Sequence, residues 1–413
     1  MVQVRTLNLG MIGIGVGGAE ILPAMEAMDT IEVVAGADIV PETRRRFGER
    51  FQSAKTYASA EELCRDPNVE AVWVSSPNRF HAEHTILAAN SGKHVVVEKP
   101  MAVTLADAQR MVEAADKNGV KLLAGHTRAF TLPIRAIRRV IESGKYGQLR
   151  ALNIWSYSDW MLRPRTADEL DLAQGGGIPY RQGPHQVDTV RLLGGGMLRS
   201  VRAQVGQWLK ERPIPGFYSA FMEFENGTPA AISHNGYGYF MGAELVPWGE
   251  DRQRYNASQR ASIREQLRAG TRRETDEKQA LRIGGAQERE IFRRNEPEPW
   301  VPEDMGMAVA SLDRADVRQS ADGIYLHSDA GKEEISLAPG RIMGVGQRRA
   351  ELEELYDSVV RGKPLWHDGR WGMATLEVCL AIMESARERK EIMLKHQVPV
   401  AAGYDEDFVV PGL

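Results

Sequence analysis

Glu98, Lys99 and Pro100 place a carboxyl and an amine side by side where a valine run stops. Val95, Val96 and Val97 are β-branched and uninterrupted, the pattern of a strand covered on both faces in a parallel sheet. Pro100 has no N–H for a ladder and restrains Lys99 to extended geometry, so the strand ends there. Ligands of open α/β sheets sit beyond such strand ends. A lysine held there can move a proton to or from a hydroxyl; a surface ion pair is the plainer alternative. The second ionisable group of interest is His185, in Gly175-Gly-Gly-Ile-Pro-Tyr-Arg181-Gln-Gly-Pro-His185-Gln-Val-Asp188. Apolar spacing from Val187 to Leu193 predicts a helix with His185 in its first turn, where the positive dipole end favours a neutral base. A packed, hydrogen-bonded histidine is the alternative.

An electron acceptor site is written into the first forty residues. Leu7 to Ile12 reads as an apolar strand and runs into Gly13-Ile14-Gly15-Val16-Gly17-Gly18, with a helix-compatible stretch from Ala19 to Met28 and a second strand from Ile31. Strand, Gly-x-Gly-x-x-Gly and helix together make the dinucleotide fingerprint: the glycines permit a tight turn and close approach of pyrophosphate to a helix N-terminus. Asp38 lies 20 residues past Gly18 and can accept hydrogen bonds from the adenosine ribose. A carboxylate there repels a 2′-phosphate, so NAD is the expected cofactor and NADP the less favoured one. Arg44, Arg45 and Arg46 read as a solvated helix face. The strand Ala71–Ser75 ends in a loop, Ser76-Pro77-Asn78-Arg79-Phe80-His81, at the edge where nicotinamide would lie beside Glu98 and Lys99. His81 and His84 have a His-x-x-His spacing with no third ligand nearby, so packing roles are expected and no metal.

Strand-like and helix-like segments alternate up to about residue 125, which predicts an N-terminal NAD-binding Rossmann domain, a doubly wound parallel sheet, over 1–125. A substrate-binding and oligomerisation α+β domain follows over 126–395. Ser200–Trp208, Phe217–Phe224 and Pro229–Asn235 read as strands of an antiparallel sheet. Residues 248–300 are charged and weakly periodic, and read as a partly helical, mobile insertion, an inert surface excursion with a lid or an oligomer contact as the alternatives; the tail 396–413 shows no usable pattern. The chain has 413 residues and a net charge of −4, which gives no footprint for nucleic acid. An early strand in place of a basic leader, and no apolar run near about 18 residues, predict no membrane partner. Two cysteines, Cys64 and Cys379, exclude a disulfide framework and fit a cytoplasmic protein.

With these motifs in order, the chain resembles the glucose–fructose oxidoreductase/inositol dehydrogenase (Gfo/Idh/MocA) family. The resemblance implies a Rossmann domain followed by a domain with a large, mostly antiparallel sheet, a homodimer or homotetramer, and reversible hydride transfer between nicotinamide and a hydroxyl-bearing carbon. It places the motif lysine on Lys99 and the motif histidine on His185. Where the family commonly has an aspartate four residues before the histidine, this chain has Arg181. A guanidinium cannot accept a hydroxyl proton but binds carboxylates bidentately, and Arg163 and Arg165 are candidates to line the same pocket. Together, Arg163 to Leu170 and Gly175 to Gln186 look most like the branch containing phthalate 4,5-dihydrodiol dehydrogenases. The expected substrate is therefore a small, carboxylated cis-dihydrodiol whose oxidation product tautomerises to a catechol. A sugar, uronate or inositol dehydrogenase is the same-class alternative, and a non-catalytic NAD-binding sensor the alternative of another class.

Overall fold

The computed structural model describes residues 5–125, 128–249, 253–288, 299–302, 305–337 and 345–413. They fall into two compact units: 1–126 with 275–296 and 344–373, and 127–274 with 297–343 and 374–413, to the extent that these ranges are described. A single division near residue 125 therefore does not capture the chain, which returns to the first unit twice.

The first unit is a parallel six-stranded sheet of β1 (Leu7–Ile12), β2 (Ile31–Ala37), β3 (Lys55–Tyr57), β4 (Ala71–Val74), β5 (His94–Glu98) and β6 (Leu122–Gly125), in the order 3-2-1-4-5-6. This is the doubly wound order with its switch between β1 and β4. The valine run is fully buried, as two-sided cover demands. Leu9, Met11, Trp73 and Val96 form the core with Leu352 and Leu355 of the late helix Val345–Val360 and with Ile283 from the charged insertion. The short, exposed β3 has no hydrophobic signal and is invisible to periodicity.

The second unit is built on nine strands: β7 (Leu149–Tyr157), β8 (Leu198–Gly206), β9 (Phe217–Phe224), β10 (Pro229–Asn235), β11 (Met307–Leu312), β12 (Ala315–Gln319), β13 (Gly323–Ser328), β14 (Gly331–Ser336) and β15 (Ile392–Met393). Their order is 14-13-12-11-7-10-9-8-15, antiparallel apart from the β7–β10 pair. Along β9 and β10 buried residues alternate with more exposed ones, which is the clean period of two that sequence could read.

The insertion is partly helical as read: its described parts hold the helices Ala257–Ala269 and Glu274–Ala280, while 250–252 and 289–298 lie outside the described residues. The first helix is closed by an Asn256–Gln259 capping box and buries Ile263 and Leu267 against Leu162. The tail is anchored too: Asp405 pairs with Arg135, and the Arg135 guanidinium sits 4.2 Å from the Phe408 ring centroid. Among the described residues no helix is long and apolar enough to cross a membrane.

Candidate active site

Parallel pairing sets Ile12 opposite Val74, so the glycine loop begins beside Ser75 and Ser76. Gly13 takes a φ of +85°, and a Cβ there would come within 2.7 Å of the Ser76 backbone; only glycine fits. The Ser75 hydroxyl donates to the Gly13 carbonyl at 2.6 Å and locks the turn. At Gly15, the N-cap of the helix Val16–Glu26, an added Cβ would meet nothing within 4 Å. Open space thus lies over a helix N-terminus, the arrangement that receives pyrophosphate. Gly18 packs tightly instead, its virtual Cβ 2.6 Å from the Gly13 carbonyl oxygen.

Asp38 is half-buried just past the end of β2. Its Oδ2 accepts from the Ile14 amide and its Oδ1 from the Val40 amide, both at 2.9 Å. Each oxygen has lone-pair capacity left for a ribose hydroxyl, so open glycine loop and oriented carboxylate together fit a dinucleotide. Arg44 donates to the Asp38 carbonyl at 2.6 Å, Arg45 pairs with Glu42 and Glu49, and Arg46 pairs with Glu42 and donates to the Ile283 carbonyl at 3.0 Å. Arg45 is exposed on the expected solvated helix face, whereas Arg44 and Arg46 also reach backbone carbonyls outside their helix.

Ser76 to His81 is not one loop. Pro77 caps a short 3-10 turn, Asn78–Phe80, and His81 opens the helix His81–Asn90. His81 is 1% exposed, with Nε2 2.7 Å from the Ser76 carbonyl and Nδ1 2.8 Å from the Pro100 carbonyl. It therefore ties the ends of β4 and β5 together. His84 Nδ1 lies 2.9 Å from the Ser76 hydroxyl. Ser76 and Asn78 are themselves buried.

At the end of β5, Glu98 and Lys99 are half-buried and the Lys99–Pro100 peptide is cis. Burial pushes the Glu98 carboxyl above the usual carboxylate range, opposed by the charges of Arg348 and Lys99. Arg348 pairs with Glu20 on the glycine-loop helix at 2.6 Å and lies 3.8 Å from Glu98. It connects the two motifs that sequence had treated separately, and no local signal marks it.

In the second unit His185 sits in the first turn of the helix Gly183–Leu193, all eleven residues of which are buried. His185 itself is 8% exposed. Gln186 anchors the helix: its Nε2 donates to the carbonyls of Ser233 at 3.2 Å and Met305 at 3.0 Å, and its Oε1 accepts from the Tyr218 hydroxyl. A buried amide with this many partners fixes the helix rotation and hence the direction of its neighbour.

Arg181 ends the short helix Ile178–Arg181, one turn before His185. Its guanidinium is 3.2 Å from Glu169 Oε1, and Arg165 reaches the same oxygen at 3.4 Å. Glu169 Oε2 accepts from the Thr166 amide and hydroxyl. Arg165 stacks on Trp160 at 3.6 Å and is almost fully covered, whereas Arg163 pairs with Asp159 at 2.9 Å. Burial pushes the Arg165 guanidinium down to about 9, opposed by Glu169 and reinforced by the cations Arg181, Arg163 and Arg212. It remains charged at neutral pH, in a crowded cationic neighbourhood. The glycine run here packs on protein: a Cβ on Gly176 would lie 2.6 Å from the Glu169 carbonyl oxygen.

Residues 7–126 match the oxidoreductase family with NAD-binding Rossmann fold, and residues 134–240 match the GFO/IDH/MocA C-terminal domain. A 1-carboxy-3-chloro-3,4-dihydroxycyclohexa-1,5-diene dehydrogenase of Comamonas testosteroni is 33% identical over 391 residues, 92% of this chain and 95% of that protein. The chain belongs to the Gfo/Idh/MocA oxidoreductases. A scyllo-inositol 2-dehydrogenase (NADP(+)) of Bacillus subtilis strain 168 is 25% identical over 404 residues, 95% of this chain and 98% of its own. In structure, this Gfo/Idh/MocA member matches a crystal structure titled as a dehydrogenase of Bordetella bronchiseptica RB50 with a TM-score of 0.84 at 30% identity, covering 94% of this chain and all of the other. The Gfo/Idh/MocA chain is thus an NAD(P)-dependent dehydrogenase acting on CH–OH groups.

Proposed function

We propose that this enzyme oxidises a hydroxyl of a carboxylated cyclic cis-diol with NAD, phthalate 4,5-dihydrodiol being the expected member of that class. The observation that carries the reading is the Glu169 oxygen shared by two guanidiniums, Arg165 and Arg181. Two guanidiniums converging on one carboxylate oxygen, with Arg163 and Arg212 close by, make a cationic neighbourhood suited to a substrate carboxylate. Arg181, 22% exposed in its side chain, and Arg163, at 18%, are the proposed contacts. Arg165, at 7%, is reassigned to holding Trp160 and Glu169 in place. The carboxylated cyclohexadiene diol in the Comamonas relative's name supports the same class.

NAD supplies the hydride acceptor. Lys99 and His185 are the proposed groups for the hydroxyl proton, and the hydroxyketone released tautomerises to a catechol, which draws the reaction forward. The cofactor residues proposed are Gly13, Ile14, Gly15, Gly18 and Asp38, with Ser76, Pro77, Asn78, Glu98 and Lys99 at the nicotinamide end. A cytoplasmic homo-oligomer is part of the proposal; Trp155 and Phe221, 43% and 54% exposed on one face of the nine-stranded sheet, support a subunit contact.

The test is steady-state kinetics with NAD, a carboxylated dihydrodiol and its uncharged analogue. Arg181→Ala should lower kcat/KM for the charged diol by about 10- to 150-fold, from about 1.5–3 kcal/mol for a hydrogen bond to a charged group. The uncharged diol should lose far less. Equal losses on both would make Arg181 structural and return the substrate to the inositol or sugar class.

A further inference from the structure

The segment carrying Arg163 and Arg165 has little regular structure of its own, 3-10 turns over Trp160–Leu162 and Asp168–Leu170. Its backbone is held by guanidiniums instead. Arg165 donates to the Trp160 carbonyl at 2.8 Å, and Arg212 to those of Met161 at 3.1 Å and Arg163 at 3.2 Å. Arg272, from the insertion, donates to the Leu162 carbonyl. Arg212 is 1% exposed, and its charge is met by Glu274, also from the insertion, through two bonds of 2.9 and 2.7 Å. The same Glu274 carboxylate accepts the Arg165 amide at 2.7 Å. Ile263 and Leu267 of the preceding helix close over Leu162 from the same side.

We infer that the insertion is a specificity clamp and that Glu274 is a positioning residue: through Arg212 and the Arg165 amide it fixes the arginine loop in the shape that receives a substrate carboxylate. This rests on the carboxylated-diol reading above. A buried arginine stripped of its carboxylate cannot keep its charge in place without reorganising, and here reorganisation releases the carbonyls of Met161 and Arg163 together. Glutamine at 274 keeps the shape and one acceptor but removes the charge and an acceptor oxygen. The clamp thus acts on substrate selection, one step removed from the reacting atoms.

The experiment compares Glu274→Gln and Glu274→Ala with the parent enzyme in two measurements. The first is hydrogen–deuterium exchange of peptides spanning 160–170 without substrate; uptake should rise in both variants, while uptake around Gly13–Gly18 stays as it was. The second is the ratio of kcat/KM for the carboxylated over the uncharged diol, which should fall by about 10-fold for Gln, mainly through KM, as for one lost charged hydrogen bond. If Glu274→Ala does not fold, Glu274→Gln decides. Unchanged exchange across 160–170 overturns the clamp, and so does an equal loss on both diols or a loss of NADH binding, since those mark plain destabilisation. A parent enzyme with no preference for the charged diol, combined with raised exchange in the variants, supports the clamp on the loop and overturns the carboxylate reading instead.

Discussion

The glycine loop and the arginine loop, as proposed, each receive an anion, and they are built for it by opposite means. Gly13 to Gly18 does it with backbone: a positive φ at Gly13, open space over Gly15, and one carboxylate, Asp38, that reads back onto the Ile14 amide. All three lie within the first forty residues, with Ser75 locking the turn from the next strand. The arginine loop does it with side chains drawn from positions as far apart as Asp159 and Glu274, and its own glycines press against protein. A backbone site is fixed by local conformational rules and changes little between relatives of one fold. A side-chain site depends on partners brought together by the whole domain, so it is where one family diversifies its substrates.

The largest test of that contrast lies at the two proposed proton-transfer groups, Lys99 in the first unit and His185 in the second. Lys99→Met and His185→Ala should each lower kcat by about 10²- to 10⁴-fold, the usual contribution of a positioned acid–base group. NADH affinity, read by fluorescence titration, should move much less. A variant with near-normal turnover would remove its residue from the proton path.

That contrast also decides what was legible in the sequence. The parallel sheet, the fingerprint, Asp38 and the Glu98–Lys99–Pro100 strand end could be read because each signal is contiguous or lies at a fixed offset within one supersecondary unit. His81 could be placed at its sheet edge, but periodicity cannot show that both its nitrogens meet carbonyl oxygens. Glu169, Gln186 and Arg348 carried no signal, because their meaning is in their partners: Arg348 reaches Glu20 across 328 residues and Glu274 reaches Arg165 across 109. The charged insertion looked inert for the same reason. A polar, weakly periodic stretch reads as solvated until the buried cation it neutralises is known.

A smaller effect is expected at Asp38. Asp38→Ala removes the proposed ribose acceptor and the bonds to the Ile14 and Val40 amides. Loss of charged hydrogen bonds of about 1.5–3 kcal/mol should weaken NAD binding by about 10- to 150-fold, while NADP should lose less because the repulsion of its 2′-phosphate goes too. The comparison of kcat/KM for NAD and NADP in both proteins measures it. Equal efficiency with the two cofactors before mutation would show that Asp38 does not discriminate, as the NADP(+) named for the Bacillus relative makes worth testing.

The smallest effect separates glycines needed for a ligand from glycines that happen to be there. Gly15 and Gly17 both face open space, with nothing within 4 Å of an added Cβ. Gly15 is the N-cap and Gly17 lies inside the first turn of the helix Val16–Glu26. Alanine at 17 should therefore stabilise the first unit by a few tenths to about 1 kcal/mol, the helical advantage over glycine, and raise Tm by about 1–3 °C. NADH affinity should stay within about 2-fold, because the fingerprint leaves that position unspecified. Alanine at 15 should leave Tm nearly unchanged and weaken NADH binding by about 10-fold or more, since the close backbone approach of pyrophosphate is what its missing side chain provides. Thermal melts and NADH titrations of the two single variants settle the assignment. If Gly17→Ala costs the cofactor as much as Gly15→Ala, the whole turn touches the dinucleotide, and the fingerprint's spacing is a weaker guide to contact than open space is.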